Sequence, residues 1–344
     1  MRLVTFVPPD GAPRAGALLG DVVVDLAVAA PLVIEEAEGL RWDMLSLLRA
    51  DQNEVNLDSA AAILAAVTQM LGAEPAASIQ DPESPSFTAA LAGPGGSLSI
   101  GGEAMLLPLS QVRLLAPLPN PTSLRIYESF EEHAIAARTL RGAGLPGEWY
   151  RGPSFSFANH GAVFGPEDAI PMPHGATLDY ALGLACVIGH PARDLSPEET
   201  DPVIAGYTLL NAWVDREAEE LERALGCGPA KSRDFATSLG PWLVTPDELE
   251  LYRDGGRLHI VLVGRVNGIE RSRAAAGSQY YPFAELIAHA SRAVTLHPGE
   301  VIGSGAVGGG TLLEMGGGFG PWLEPGDQVE LEGTALGVLS NSVT

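Results

Sequence analysis

Glycine and proline interrupt this chain so often that long regular segments are not expected over most of its length. The 344 residues include 41 glycines and 27 prolines, whereas aromatic residues make up only 6%. Such frequent turn-forming residues favour many short strands joined by turns. Hydrophobic residues make up 46% and charged residues 18%, so the chain can bury a sizeable core and disorder is not expected.

The length predicts one large domain plus a smaller one. The string LLAPLPNPTS places three prolines between Leu114 and Ser123 and is the best candidate for a linker. We therefore predict a small N-terminal domain over residues 1–115 and a larger domain over residues 116–344. Strands and helices do not alternate regularly, which disfavours a doubly wound sheet and indicates an α+β, mostly β fold.

Periodicity and turn signals predict the individual elements. A helix is expected near 58–71, capped by Asp58 or Ser59 and ended by Gly72. The Pro-, Gly- and Ser-rich stretch 73–105 is expected to be a loop. Further helices are predicted near 129–141, 213–225 and 282–293, and strands near 154–164, 178–189, 203–211, 241–244, 257–267, 299–303 and 327–339.

The charge of the chain limits its partners. The net charge is −23 at pH 7 and no basic run is present, so nucleic acid and anionic membranes are poor partners. The longest apolar stretch, SAAAILAAVTQML, is too short to cross a bilayer, and the N-terminus lacks the apolar region of a signal peptide. A cytoplasmic protein is the resulting expectation.

Two residues could carry acid–base chemistry. By helical spacing His133 shares a face with apolar neighbours, where a histidine is more often a satisfied core or interface residue. Glu314 lies between Leu313 and Met315 in a glycine-rich stretch. Partial burial there would raise its pKa and suit it to proton transfer, whereas the alternative is an ordinary turn residue. The glycine-rich string from Gly303 to Gly308 matches a dinucleotide-binding fingerprint literally, but no βαβ unit follows, so a turn is expected.

Several strings together resemble the fumarylacetoacetate hydrolase superfamily. They are PLPNPTSLR, SFEEHAIAAR, FANHGAVFGPEDAIPMP, LDYALGLACVIG, AGYTLLNAW, GPAKSRDFATSLGPWLVTPDEL, VIGSGAVGGGTLLEM and PGDQVELEGTALGVL, in the family's order. The opening residues also resemble its small N-terminal domain. The resemblance implies a C-terminal mixed β-sandwich or β-roll, and a homodimer.

The resemblance also implies a particular chemistry. In this family, carboxylates hold a magnesium, calcium or manganese ion, which a keto-acid substrate chelates. The ion stabilises the enolate or oxyanion that forms when a carbon–carbon bond breaks, and a histidine–glutamate pair activates water. Position by position, the pair corresponds to His133 and Glu314.

The expected metal ligands are replaced in this chain. An aspartate is expected where Ile126 stands, a Glu-x-Glu pair where Ala181 and Gly183 stand, and a further aspartate at Ala212. We therefore expect no metal cofactor. Either a small apolar hollow for a ligand or a collapsed, filled space is expected where the ion would lie.

The substrate side is also altered. Glu128 and Ser156 stand where tyrosines are common, Glu219 where a glutamine is common, and Arg233 where a lysine is expected, while Arg216 and the nearby Lys231 remain. Candidate substrate-binding residues are thus Arg216, Lys231, Arg233, Glu128 and Ser156.

Three functions follow from these residues. The first is a pseudoenzyme that binds a small organic acid, an apolar ligand or a partner. The second is a metal-independent lyase, tautomerase, hydratase or hydrolase acting on a keto-acid-like substrate through His133 and Glu314. The third is a metal-dependent hydrolase that recruits other ligands, such as Asp179, Asp215 or Glu128. A hydrogen bond between His133 and Glu314 would favour the second over the first.

Overall fold

The computed structural model describes residues 1–9, 11–49, 55–72, 99–100 and 102–344. Most of the regular structure is β, which confirms the predicted α+β, mostly β class. The α-helices in the described ranges are Leu26–Ala29, Met44–Arg49, Leu57–Met70, Glu131–Thr139, Arg216–Ala224, Phe283–Ser291 and Leu312–Met315. Short 3-10 helices occupy Ala30–Leu32, Leu109–Gln111, Gly147–Arg151, Pro197–Glu199, Asp201–Val203, Lys231–Arg233, Pro246–Tyr252 and Ala276–Ser278.

A 12-stranded sheet organises the fold. Ten of its strands follow one another across the sheet in the order Leu106–Pro108, Val22–Asp25, Arg14–Leu19, Arg2–Val7, Thr237–Val244, Ile204–Asn211, Leu182–Ile188, Glu300–Gly303, Ser123–Tyr127 and Phe155–Phe157. Two short strands join it from the side: Val163–Phe164 beside Thr237–Val244 and Arg113–Leu114 beside Arg2–Val7. The pairing is antiparallel except at Val163–Phe164 and between Glu300–Gly303 and Ser123–Tyr127.

A second sheet covers one face of the first. Its five strands lie in the order Ala169–Ile170, Gly337–Val343, Gln328–Gly333, Val261–Val266 and Ile269–Ala275. Leu209 of the large sheet and Leu336 at the small sheet belong to one buried cluster. Two-stranded pairs complete the β structure: Leu178–Asp179 with Val214–Asp215, Arg253–Asp254 with Arg257–Leu258, and Ser99–Ile100 with Glu103–Ala104.

The large sheet crosses the predicted domain boundary at 115/116. Leu3 pairs with Leu243, so the first strand of the chain is hydrogen-bonded to a central strand of the C-terminal part. One buried cluster contains Leu3 and Ile63 together with Leu210 and Val301. Strands of both segments thus share one sheet and one core. The division into domains 1–115 and 116–344 stays a prediction.

The predicted helices are confirmed, and most of their ends lie within one or two residues of the predicted positions. Local differences remain. Asn56, and not Asp58 or Ser59, caps the helix Leu57–Met70, because its side chain accepts from the N–H of Ser59. The predicted loop 73–105 falls largely outside the described residues, and its described end contains the hairpin Ser99–Ile100 with Glu103–Ala104. Among the described helices, none is long and apolar enough to cross a membrane.

Candidate active site

His133 and Glu314 are direct neighbours. His133 lies on the helix Glu131–Thr139 and Glu314 on the four-residue helix Leu312–Met315. The His133 Nδ1 and Glu314 Oε2 atoms are 2.9 Å apart, although the residues are 181 positions apart in the chain. Both side chains are buried to about nine-tenths. The two residues that the resemblance singled out therefore form a hydrogen-bonded pair.

Glu314 is held in place from three sides. The Thr311 hydroxyl donates to its Oε2 at 2.8 Å, and the backbone N–H of Gly309 donates to its Oε1 at 3.0 Å. Burial raises the pKa of this carboxyl, but the hydrogen bonds from His133, Thr311 and Gly309 outweigh it, and the pKa falls below its ordinary value. The expectation of a raised pKa is therefore wrong. Glu314 is a carboxylate at neutral pH.

The carboxylate determines which imidazole nitrogen carries the proton. An ionised Glu314 can only accept, so the His133 Nδ1 is assigned as the donor. In the neutral imidazole the opposite nitrogen, Nε2, then carries the lone pair. No hydrogen bond reaches it from the residues that the structure describes, and about 10% of the side chain stays exposed. This arrangement suits a general base that is oriented by a buried carboxylate.

Asp179 anchors the short helix that carries Glu314. Its side chain is fully buried and accepts the backbone N–H groups of Leu312 at 2.8 Å and Leu313 at 3.1 Å. The same carboxylate receives Arg216 through Nε at 2.9 Å and Nη2 at 2.8 Å. Sequence reasoning did not assign this positioning role, because Asp179 is separated from Glu314 by more than a hundred residues.

Arg216 and Arg233 both bind the buried carboxylate of Glu219. Glu219 accepts from the Nη1 of Arg216 at 2.8 Å, from Arg233 at 3.1 Å and from Arg141 at 3.2 Å. It is 4% exposed. Burial raises the pKa of this carboxyl, but Arg216 and Arg233 lower it more strongly, so it remains charged. Glu219 thus neutralises part of the positive charge of the candidate substrate-binding residues Arg216 and Arg233.

The remaining candidates lie apart from the pair. Glu128 is bound by Arg138, at 3.0 and 2.8 Å, and by the indole N–H of Trp149 at 3.0 Å. Ser156 is paired in register with Ile126. Lys231 is 79% exposed and bonds Asp234. Within the described ranges, no hydrogen bond or ion pair joins Glu128, Ser156 or Lys231 to His133 or Glu314.

The four positions of the expected metal ligands lie in a filled apolar region. Ile126, Ala181 and Ala212 are each at most 6% exposed and belong to one buried cluster. A Cβ atom on Gly183 would lie 2.4 Å from the carbonyl oxygen of Gly305. These contacts favour the filled space over a hollow. No oxygen ligand is supplied by these side chains, so they do not fit a divalent cation.

The alternative ligands for a shifted metal site have other partners. Asp179 pairs with Arg216, Glu128 pairs with Arg138, and Asp215 accepts the N–H groups of Thr177, Glu217 and Ala218. In the part of the chain that the structure covers, no group of three or more His, Cys, Asp and Glu side chains could hold a metal ion.

Comparisons with known proteins agree with this fold. Residues 124–344 match the family model described as fumarylacetoacetate (FAA) hydrolase C-terminal. The chain is 28% identical to the oxaloacetate tautomerase YisK of Bacillus subtilis (strain 168) over 239 residues, 68% of this chain and 74% of that protein. It is 30% identical to a maleylpyruvate hydrolase of Aquipseudomonas alcaligenes over 242 residues, 68% of this chain and 77% of that protein.

Solved structures share the fold over the whole chain. A maleylpyruvate hydrolase from Sphingobium sp. SYK-6, in complex with manganese (II) ion and pyruvate, superposes with a TM-score of 0.66 at 21% identity, covering 100% of this chain and 99% of that one. A putative HpcE protein from Mycobacterium smegmatis gives a TM-score of 0.68 at 21% identity, with the same coverage. The family match over residues 124–344 and the 30% identical relative place this chain in the fumarylacetoacetate hydrolase family.

Proposed function

We propose that this protein is a keto–enol tautomerase or isomerase of keto-acid-like substrates, with His133 as the base and Glu314 as its orienting partner. The observation that carries the proposal is the 2.9 Å contact between His133 Nδ1 and the buried Glu314 carboxylate. A histidine oriented in this way presents Nε2 to a substrate.

The reaction requires only proton transfer. His133 Nε2 takes a proton from the carbon next to the keto group, and the electron pair of the broken C–H bond forms the C=C bond of an enolate. The imidazolium is stabilised by Glu314 and returns the proton to the enolate oxygen, which gives the enol. No atom is added or lost, and the base returns to its starting state.

Tautomerisation fits the changed residues better than hydrolysis does. Cleavage of a carbon–carbon bond needs an activated water and strong stabilisation of the leaving enolate, which a cation supplies in metal-dependent sites. Ile126, Ala181, Gly183 and Ala212 offer no such ion a ligand. The similarity to the Bacillus subtilis oxaloacetate tautomerase supports a 2-keto acid as the substrate.

Arg233 is the best candidate for the substrate carboxylate. One of its terminal nitrogens binds Glu219, but its Nε–H is buried and has no hydrogen-bond partner among the described residues. An unpaired buried donor of this kind is costly unless a ligand satisfies it. We therefore assign Arg233 to the substrate acid group, with Arg216 bound to the other carboxylate oxygen of Glu219.

A ligand-binding protein without catalysis is the second candidate. Its support is the internal pairing of Glu219 with Arg216, Arg233 and Arg141, which occupies charges that a substrate would need. The comparisons do not support this pseudoenzyme function, since the relatives named above carry the names of a tautomerase and a hydrolase.

The predicted homodimer is a further proposal, which sedimentation velocity would test.

The test follows the ketonisation of enol-oxaloacetate by its ultraviolet absorbance, with EDTA present throughout. We expect the purified chain to accelerate the reaction, and His133→Asn and Glu314→Gln to lower kcat by about 100-fold or more. His190→Asn is the matched control. His190 is exposed and follows the far end of strand Leu182–Ile188, about 20 Å from the end that contacts Gly310.

Three results would contradict the proposal. Acceleration only when Mn²⁺ or Mg²⁺ replaces the EDTA would favour a metal-dependent enzyme. Full activity of His133→Asn would remove the base from the mechanism. Binding of oxaloacetate by calorimetry without any acceleration would favour the second candidate.

A further inference from the structure

A polar cleft of about 960 Å³ lies apart from the His133–Glu314 pair. It is formed by residues 150–153, 194–195, 197 and 277–281, together with Arg257, one face of the helix Phe283–Ser291 and the residue after it, Arg292. Neither His133 nor Glu314 lines it. A cavity of this size can hold a small organic molecule.

Three arginines in the cleft have no carboxylate partner. Arg151, Arg257 and Arg292 line its wall, and none of them has an acidic side chain within 4 Å in the described ranges. Most other arginines of the described ranges are paired, as in Arg14 with Asp25 and Arg265 with Glu332. In a chain with 43 acidic and 20 basic residues, three arginines without an ion-pair partner on one concave surface are a local exception.

Arg257 is fixed without being neutralised. Its guanidinium donates to the carbonyl oxygens of Gly277 and Tyr280, each at 3.4 Å, and to that of Gln279. Carbonyl groups orient the guanidinium plane but carry no net charge. The positive charge of Arg257 is therefore held in position at the cleft and remains available to an anion.

Aromatic rings form another part of the cleft. The centroids of Tyr150 and Tyr280 are 5.6 Å apart, and those of Tyr280 and Tyr281 are 4.8 Å apart, both edge-on. Trp149 packs on Tyr280 from behind at 5.1 Å. Tyr280 remains 39% exposed. Such rings offer flat apolar surfaces on which a planar molecule can stack.

The acidic side chains of the cleft form no ion pair with its three arginines in the described ranges. Asp194 is bound to Arg193 at 3.2 Å and to the N–H of Ala293 at 2.6 Å. Glu285 is exposed to solvent. His289 shares a hydrogen bond with the Tyr127 hydroxyl at 3.0 Å, and burial followed by the charge of Arg292 lowers its pKa, so it is a neutral polar group at pH 7.

We propose that this cleft binds a small dicarboxylate with a flat, unsaturated body, at a site separate from the His133–Glu314 pair. Arg151, Arg257 and Arg292 come from three different segments around the cleft, so one ligand can be contacted by more than one guanidinium. The tyrosine rings then stack against its planar body. Guanidinium groups bind carboxylates through paired N–H donors, which gives the site its preference for acid groups.

Isothermal titration calorimetry with benzene-1,2-dicarboxylate tests the proposal. Intrinsic tryptophan fluorescence provides a second signal, because Trp149, one of five tryptophans, contacts Tyr280. We expect one site per chain, with benzoate binding about tenfold more weakly because one acid group is missing. Arg257→Ala and Arg292→Ala should each weaken binding by about tenfold or more. Arg292→Ala is less prone to disturb the fold than Arg257→Ala, since the Arg292 side chain makes no hydrogen bond with the described residues.

Two control variants locate the site. Arg271→Ala removes an exposed arginine outside the cleft and should leave the affinity unchanged. His133→Asn should do the same, because the proposed site does not use the candidate active site. The proposal is overturned if the dicarboxylate does not bind, if both cleft variants bind it normally, or if His133→Asn abolishes binding. Equal affinity for inorganic phosphate would overturn the preference for a flat dicarboxylate.

Discussion

Asp179 accepts two backbone hydrogen bonds from the start of the helix that carries Glu314, at 2.8 and 3.1 Å. The same carboxylate is paired with Arg216 and is fully buried. The position of Glu314, and through it the orientation of His133, is thus tied to an ion pair on a different part of the chain. The candidate active site is one connected network and not an isolated pair of residues.

Asp179→Asn should destabilise the protein by about 3 kcal/mol, because it leaves a buried guanidinium with one carboxylate fewer. Urea unfolding at pH 7 measures the change. Asp234→Asn is the matched control. It interrupts only the exposed pair with Lys231, which is expected to contribute about 1 kcal/mol or less. Equal stability of the two variants would contradict the anchoring role.

Glu314→Gln should show a pH-dependent effect. The folded-state pKa of this carboxyl lies below its ordinary value of 4.5, so its charge stabilises the fold above that pH. The stability difference between wild type and Glu314→Gln should be about 1–3 kcal/mol at pH 7 and should shrink as the pH falls through the folded pKa. Urea unfolding at a series of pH values tests this. A difference that grows on acidification would contradict the assigned charge state.

Glu219→Gln should destabilise the protein by about 3–5 kcal/mol, because Arg216, Arg233 and Arg141 lose their common partner. Added oxalate should restore part of this loss by supplying negative charge to the arginines, and thermal unfolding with and without oxalate measures both effects. Glu220→Gln, at a half-exposed neighbour, should cost about 1 kcal/mol or less and should not respond to oxalate. Loss of stability without rescue would contradict anion binding at this cluster.

Gly183→Ala tests how tightly the apolar region is filled. The added methyl group would lie 2.4 Å from the carbonyl oxygen of Gly305, so we expect a loss of about 1–3 kcal/mol in unfolding free energy. Gly144→Ala is the control, since a Cβ there meets nothing within 4 Å and the change should be close to neutral or slightly stabilising. A tolerated Gly183→Ala would favour a hollow at this position.

Local patterns were sufficient for much of the fold. The apolar runs predicted strands near 178–189 and 203–211, where the structure has Leu182–Ile188 and Ile204–Asn211. Central strands are buried on both faces and show it in their composition. The strand Ile269–Ala275 was missed. It lies at the edge of the second sheet with most of its residues exposed, so its sequence, IERSRAA, does not show the alternation expected of a half-buried strand.

By itself the sequence determined the α+β class, and through its ordered motifs it pointed to His133 and Glu314 and to the apolar residues at the expected metal positions. Tertiary structure decided the contact between His133 and Glu314, the pairing of Glu219 with Arg216 and Arg233, and the charge state of Glu314. The reason is physical. A pKa and an ion pair depend on which distant groups approach within a few ångströms, and 181 positions of chain separate the two members of the central pair.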